Sequence, residues 1–274
     1  MNEHHGAPGG AASDAEEKAH TATAERMYTA LWSLSALATM VGVCRHDVDA
    51  ISELAPGPLT LTERLVSVPY QAWLCAGAHL IAAIVSLVVG YLVVSLAYPR
   101  RHLGHEAHVN PAAAIQASAH LLGAAVIATV SWGGCDAGSL LVSGVFCLLG
   151  WISLTAVCAG HRAITRYADH EEIAHGNVAA ALAAAGLHLG VALVVGHAIQ
   201  GQFTGWESSL TGFAAALAWV VILYPLRQLV LARLILRMSP AEMDAGVSAR
   251  RDPWLGAAEG LFYLLAALCL SAGW

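Results

Sequence analysis

Two stretches of the chain, Asn110–Gly123 (NPAAAIQASAHLLG) and Asn177–Gly190 (NVAAALAAAGLHLG), align with each other without a gap. A weaker third copy, DPWLGAAEG, covers Asp252–Gly260. In each copy a polar residue precedes an alanine-rich apolar run, the pattern of a membrane helix that begins at a capped end. The repetition therefore predicts a tandem architecture in which one helical unit recurs along the chain.

The first residue of each copy is a good helix cap. Asn110, Asn177 and Asp252 have side-chain oxygens that accept hydrogen bonds from free backbone N–H groups at a helix start. Pro111 and Pro253 follow directly, and proline is favoured at the first helical position. We expect each of the three residues to cap a helix.

Small residues recur four positions apart in each copy, a spacing that lets helix backbones approach closely in lipid. We expect these residues to form the central packing surface, either within one chain or between subunits. They are Gly123 (with Ala119), Gly186, Gly190, Gly256 and Gly260.

The composition excludes several classes of protein. Hydrophobic residues make up 57% of the chain and charged residues 12%, about half the charged share of a soluble domain. The mean hydropathy is +0.61. A largely disordered chain and a soluble enzyme are therefore excluded. Nucleic-acid binding is not expected, because 13 Lys and Arg stand against 19 Asp and Glu. The lipid bilayer is the expected partner.

Apolar stretches long enough to span a bilayer predict an all-α polytopic transmembrane bundle of about seven spans. The architecture would be three parallel two-helix repeats plus one N-terminal helix. The predicted spans are Glu25–Cys44, Gln71–Tyr98, Pro111–Trp132, Ser139–His161, Val178–Ile199, Ser209–Leu231 and Trp254–Ala272.

These spans divide the chain into five parts. They are a mobile cytoplasmic tail (1–24), the first helix with an external segment (25–70), and the repeat units 71–134, 135–204 and 205–274. Eleven Lys and Arg lie on the side of the N-terminal segment, whereas only Arg45 and Arg64 lie on the other. The positive-inside rule then predicts a cytoplasmic N-terminus and a periplasmic C-terminus.

The segment Thr165–Gly190, TRYADHEEIAHGNVAAALAAAGLHLG, resembles the bacterial inner-membrane family catalogued as domain of unknown function 350. The resemblance rests on the acidic pair Glu171 and Glu172, on Gly176-Asn177 with the alanines that follow, and on the glycines of the next two turns. The tandem two-helix unit also resembles that family. The resemblance covers roughly Gln71–Trp274, is weaker around Asn110 and is weakest at Asp252. It implies an integral inner-membrane protein, with no established activity.

Polar residues inside the spans are the candidates for proton or ion handling. Glu259 is the one acidic residue well inside a predicted span, and a buried carboxylate must be protonated or paired. The expected partners are His188, His120 or Gln116. Together with His197, these groups support the hypothesis of a small proton-coupled or ion transporter.

Histidine is also the commonest metal ligand. His120 and His188 lie about a dozen residues from His108 and His175, which leaves a haem-binding redox protein as a further alternative. Weak candidates for zinc are His105, His108, His170 and His175 in the loops. No cofactor is predicted, with haem and zinc left open. Cys44 and Cys135 would lie near the outer face, where an oxidising compartment permits a disulfide.

The favoured interpretation is a non-enzymatic channel-like or scaffold module. Its cytoplasmic loops would contact a protein partner, or the chain would form a homo-oligomer. The transporter and the His-ligated redox protein remain the alternatives.

Overall fold

A computed structural model describes residues 21–26, 29–30, 33–37, 39–41, 70–97, 110–132, 137–164, 167–200 and 202–272. These residues are almost entirely helical, and none of them lies in a strand. The predicted all-α bundle is therefore confirmed. The N-terminal tail up to residue 20, most of the external segment, His105, His108, Cys44 and Cys135 lie outside the described residues.

Eight helices follow one another from residue 70 to residue 272 in this part of the chain. They are α1 (Tyr70–Ala97), α2 (Pro111–Ser131), α3 (Ala137–Ile164), α4 (Asp169–Ala174), α5 (Val178–Ile199), α6 (Trp206–Ile235), α7 (Pro240–Ser248) and α8 (Pro253–Ala272).

Five of these helices, α2, α3, α5, α6 and α8, are long and apolar enough to cross a membrane. Helix α1 is also long, with 28 residues, and has an apolar stretch at Leu74–Gly90. The predicted first span, Glu25–Cys44, is described only in short helical pieces. The count of seven spans and the unit boundaries therefore stay predictions.

Helix α6 is interrupted and longer than predicted. Its first part, Trp206–Val220, ends in a turn, the short helix Leu223–Leu226 follows, and π-helical turns then continue to Ile235. Pro225 lies at this break. The helix is interrupted here because proline lacks the N–H that a continuous helix needs and distorts the turn before it. The π-helical turns extend the span beyond Leu231 and carry Arg227 into the bundle. Arg227 lies within the predicted span Ser209–Leu231, although its charge was counted on the cytoplasmic side.

Helix α5 lies at the centre of the bundle and packs against α2, α8 and α3. Most of the apolar window of α5 and of α2 is buried within the chain, whereas less than a third of the window of α6 and of α8 is buried. Large apolar side chains on these outer helices, such as Leu229, Leu234 and Leu265, are exposed, as lipid-facing side chains would be. The interior is filled by apolar side chains from α2, α3 and α5, including the fully buried Ile127, Leu154 and Val191.

The predicted small-residue pairs lie where α5 meets α8. A Cβ added to Gly256 would collide with the backbone of Ala179, and one added to Gly186 would collide with the backbone of Gly260. A Cβ on Gly190 would lie 2.9 Å from the carbonyl oxygen of Tyr263. The two helices approach at a distance that only glycine permits.

Gly123 lies at the second contact of α5, the one with α2. A Cβ there would lie 3.1 Å from the Cβ of Ala192, which is tighter than ordinary van der Waals contact. Within the described residues the small-residue surfaces therefore join helices of the same chain.

Cys75, near the start of α1, is disulfide-bonded, whereas Cys147, Cys158 and Cys269 are free. Cys44 and Cys135 lie outside the described residues, so a disulfide between them stays a prediction.

Candidate functional site

Asn110 caps α2 and also contacts a second helix. Its side-chain oxygen accepts hydrogen bonds from the backbone N–H groups of Ala112 (2.9 Å) and Ala113 (3.4 Å). Its side-chain amide donates to the carbonyl oxygens of Ile173 (2.8 Å) and Ala174 (3.1 Å), at the end of α4. One side chain thus satisfies free donors at one helix start and free acceptors at another helix end.

Asn177 does the same one repeat later. Its side-chain oxygen accepts from the Ala180 N–H at 3.1 Å and caps α5. Its amide donates to the carbonyl oxygens of Val247 (2.9 Å) and Ser248 (3.3 Å), at the end of α7, and to the Glu172 carboxylate at 2.9 Å. The side chain is buried.

These contacts link the repeats in one direction. The cap asparagine of one unit contacts the end of the short helix within the next unit, so α2 is joined to α4 and α5 is joined to α7. Asp252 accepts from the Trp254 N–H at 3.0 Å within its own unit. Aspartate carries no side-chain amide, so the series of amide contacts ends with the third unit.

The residue before each of the last two caps has a left-handed backbone. Gly176 has φ +78° and Arg251 has φ 51°, a conformation that glycine adopts without strain and arginine rarely adopts. The Arg251 side chain lies 3.4 Å from the Glu172 carboxylate and donates to the His175 carbonyl oxygen, also at 3.4 Å. This bridge joins the junction before α5 to the junction before α8. The residue that makes it, Arg251, is the one with the strained backbone.

The polar groups proposed as weak metal ligands do not converge. Glu171, His170 and His175 lie on the exposed surface of the α4 junction. In the part of the chain that the structure describes, no three His, Cys, Asp or Glu side chains come close enough to hold a metal ion. His105 and His108 cannot be placed in this comparison. The exposed junction residues instead form a mixed charged surface.

The main group of buried charges centres on Arg227. Its Nη2 donates to Asp244 Oδ1 at 2.6 Å and to Glu259 Oε2 at 3.1 Å, and its Nε lies 2.9 Å from Glu259 Oε1. The guanidinium and the Glu259 carboxylate are both almost fully buried. This ion-pair cluster of Arg227, Asp244 and Glu259 ties the short helix α7 to the membrane helices α6 and α8.

Glu259 pairs with Arg227, which was not among the expected partners His188, His120 and Gln116. Arg227 enters the interior on the π-helical part of α6. A buried carboxylate needs such a partner, and here the partner is a residue that was counted among the cytoplasmic charges.

A second hydrogen-bonded pair extends this cluster. Tyr263, one turn beyond Glu259 on α8, interacts with the Glu259 carboxylate, and its hydroxyl lies 2.9 Å from Nε2 of His161 on α3. The ring of His161 also meets the edge of Tyr224. Polar contacts therefore run from α7 into the bundle through three membrane helices.

His120 and His188 contact each other directly. Their ring centroids lie 5.0 Å apart in an edge arrangement, both side chains are buried, and Nδ1 of His188 hydrogen bonds the Ala184 carbonyl oxygen. Rings in direct contact leave no space between them for a planar haem. His197 lies more than two turns further along, in the last turn of α5, and is not part of this pair.

Sequence reasoning missed Arg227, Asp244, Tyr263 and His161 as one cluster. The available signal was Arg227 itself, a single charge two residues after Pro225 inside an otherwise apolar run. Asp244 gives no signal of its own, because its role depends on the fold of the short helix α7.

Outside the spans, two of the described groups have shifted pKa values. Burial raises the pKa of the Tyr167 hydroxyl above its ordinary value. The Ser239 backbone N–H, which donates to the Glu242 carboxylate at 2.7 Å, lowers the pKa of that carboxyl. The Ser239 hydroxyl accepts in turn from the Glu242 N–H, so the two residues form a capping box at the start of α7.

Comparison with known proteins gives one match. The sequence model of the family described as Domain of Unknown Function (DUF350) matches residues 135–273. The matched segment covers the second and third repeat units and leaves the Asn110 copy outside. No curated protein and no solved structure matches the chain. Since the match covers half of the chain and the helices are apolar enough to cross a bilayer, this is a membrane protein that belongs to the DUF350 family.

Proposed function

We propose that the protein is a non-enzymatic scaffold module of the bacterial inner membrane, with a cytoplasmic N-terminus and a periplasmic C-terminus. Its repeat units form a closed bundle, and the junctions before α5 and α8 present a surface to a cytoplasmic protein partner or to a second copy of the chain. Between a channel-like role and a scaffold role, we infer the scaffold role.

One observation carries the proposal, namely the packed apolar layer beyond the histidine pair. Along α2 and α5, the residues that follow His120 and His188 are packed apolar side chains. Ile127, Val191 and Val195 are fully buried, and no ionisable residue follows the histidines on either helix before its last turn. A transported ion or proton needs a polar or hydrated route, and the layer formed by Ile127, Val191 and Val195 is apolar.

The buried polar groups support the same function in another way. Several of them join elements of the chain: Asn110 and Asn177 join repeats, and Arg227 pairs with Glu259 and Asp244. A carboxylate held by a guanidinium at a fixed site is typical of a structural ion pair. The disulfide at Cys75 supports the orientation, because it belongs to the end predicted to face an oxidising compartment.

Site-specific photo-crosslinking in intact cells tests the proposal. A photo-reactive residue replaces Glu171, which is exposed on the α4 junction, or Leu229, an exposed apolar residue of α6. We expect a discrete protein adduct, or a dimer of the chain, from position 171 and none from position 229. Lack of an adduct at position 171, with the variant present in the membrane at normal level, would contradict a protein-binding surface at this junction.

A further inference from the structure

A cavity of about 1180 Å³ lies at the end of the bundle opposite the asparagine caps, where α2 and α5 end and α3 and α6 begin. It is larger than most small-molecule sites, which have volumes of roughly 300–1,000 Å³. None of the groups in the ion-pair cluster lines it. The cavity is therefore separate from the scaffold contacts described above.

Aromatic rings form one wall of this cavity. Phe146 stacks on Trp206 with ring centroids 6.4 Å apart and planes within 5°. The edge of Phe203 meets Trp206 at 5.1 Å, and Phe213 meets Phe146 at 6.0 Å. Trp206 is 44% exposed and Phe203 is 43% exposed, so flat apolar surface remains available for a ligand.

The polar part of the lining is uncharged. Among the described residues that line the cavity there is no Asp, Glu, Lys, Arg or His. Gln200, Gln202 and Ser209 line it, and their side chains make no hydrogen bond to another described residue. Two amides and a hydroxyl are thus available to a ligand, beside the aromatic wall.

We propose that this cavity binds the ring of an uncharged sugar, either as the headgroup of a glycolipid or as a free sugar. A phosphate, carboxylate or ammonium group would lack a countercharge among the described lining residues. An acyl chain would cover the amides without satisfying them, which is unfavourable. A sugar ring offers an apolar C–H face to the aromatic wall and hydroxyl groups to Gln200, Gln202 and Ser209.

Titration of the full-length protein in lipid nanodiscs tests this assignment. The probes are octyl β-D-glucopyranoside below its micelle-forming concentration, glucose, and 1-octanol as the same chain without the sugar. The readout is tryptophan fluorescence. We expect a saturable change with octyl glucoside that is absent in the Trp206→Phe variant and retained in Trp254→Phe, because Trp254 lies at the other end of the bundle.

Two further variants keep the proposal falsifiable if Trp206→Phe folds poorly. Gln200→Leu and Gln202→Leu each remove one uncharged hydrogen bond. The dissociation constant of the sugar should therefore rise about fivefold in each variant. Saturation with glucose as well as octyl glucoside identifies a free-sugar site, and saturation with octyl glucoside alone identifies a glycolipid site. A linear response to every sugar probe, or equal saturation with 1-octanol, overturns the proposal.

Discussion

Removal of the Arg227 side-chain charge is the sharpest perturbation of the buried cluster. Arg227→Met keeps most of the side-chain volume and removes the guanidinium that contacts Asp244 and Glu259. We expect a large loss of stability, because two carboxylates would remain in or beside the bundle without a countercharge.

The magnitude follows from the geometry. At 2.9 Å, the distance between Nε and Oε1, the attraction of one charge pair is about 6 kcal/mol at an effective dielectric constant of about 20. Desolvation offsets much of this gain in the intact protein, at several kcal/mol per ion. Arg227→Met loses the attraction but leaves the Glu259 carboxylate desolvated. The expected decrease in the free energy of unfolding is therefore about 3–5 kcal/mol.

The assay is SDS denaturation in mixed micelles, followed by circular dichroism of the purified protein. Arg233→Met is the matched control, because Arg233 is exposed on the same helix, and its effect should stay within about 0.5 kcal/mol. The double variant Arg227→Met with Glu259→Gln should be more stable than Arg227→Met by at least about 1 kcal/mol. A loss below about 1 kcal/mol for Arg227→Met, or no recovery in the double variant, would refute the reasoning.

Three further predictions concern separate contacts. Gly186→Val places a side chain against the Gly260 backbone and should lower stability by about 1–3 kcal/mol in the same denaturation assay, and an unchanged midpoint would contradict the close α5–α8 contact. Asn177→Asp keeps the cap but sets a carboxylate against buried carbonyl oxygens, so a loss of about 3 kcal/mol is expected, whereas Asp252→Asn should change stability by less than about 0.5 kcal/mol; equal effects would argue against the one-directional link. The hydrogen bond that lowers the pKa of Glu242 stabilises α7 at pH values above the ordinary glutamate pKa. This stabilisation is lost as the pH falls through the lowered pKa. Hydrogen exchange of the α7 peptide, corrected for intrinsic exchange, should show this acid-dependent loss of protection in the wild type and not in Glu242→Ala.

Local features of the fold were predictable because they depend on short-range chemistry. Asparagine before an alanine-rich run indicated where α2 and α5 begin, since a helix start needs a side-chain acceptor. Glycines four residues apart indicated a close helix contact for the same kind of local reason. The family resemblance around Asn177 was carried by these same residues.

Other features depend on where distant elements meet. The amide of Asn177 reaches the end of α7, about 70 positions along the chain, and no local pattern encodes that distance. The pairing of Glu259 depends on Arg227, whose position depends in turn on the break and π-helical turns of α6. Charge counting treats an arginine near a span end as a loop residue, and here the irregular helix buries it.

The most direct test of the central claim, a closed bundle whose polar groups hold the structure together, is proton flux through liposomes that contain the purified protein. A pH-sensitive dye inside the vesicles reports the flux under an imposed pH gradient and membrane potential. The account predicts that the wild type and Glu259→Gln are both as proton-tight as protein-free vesicles. Proton conduction by the wild type that disappears in Glu259→Gln would contradict it and would assign Glu259 to transport.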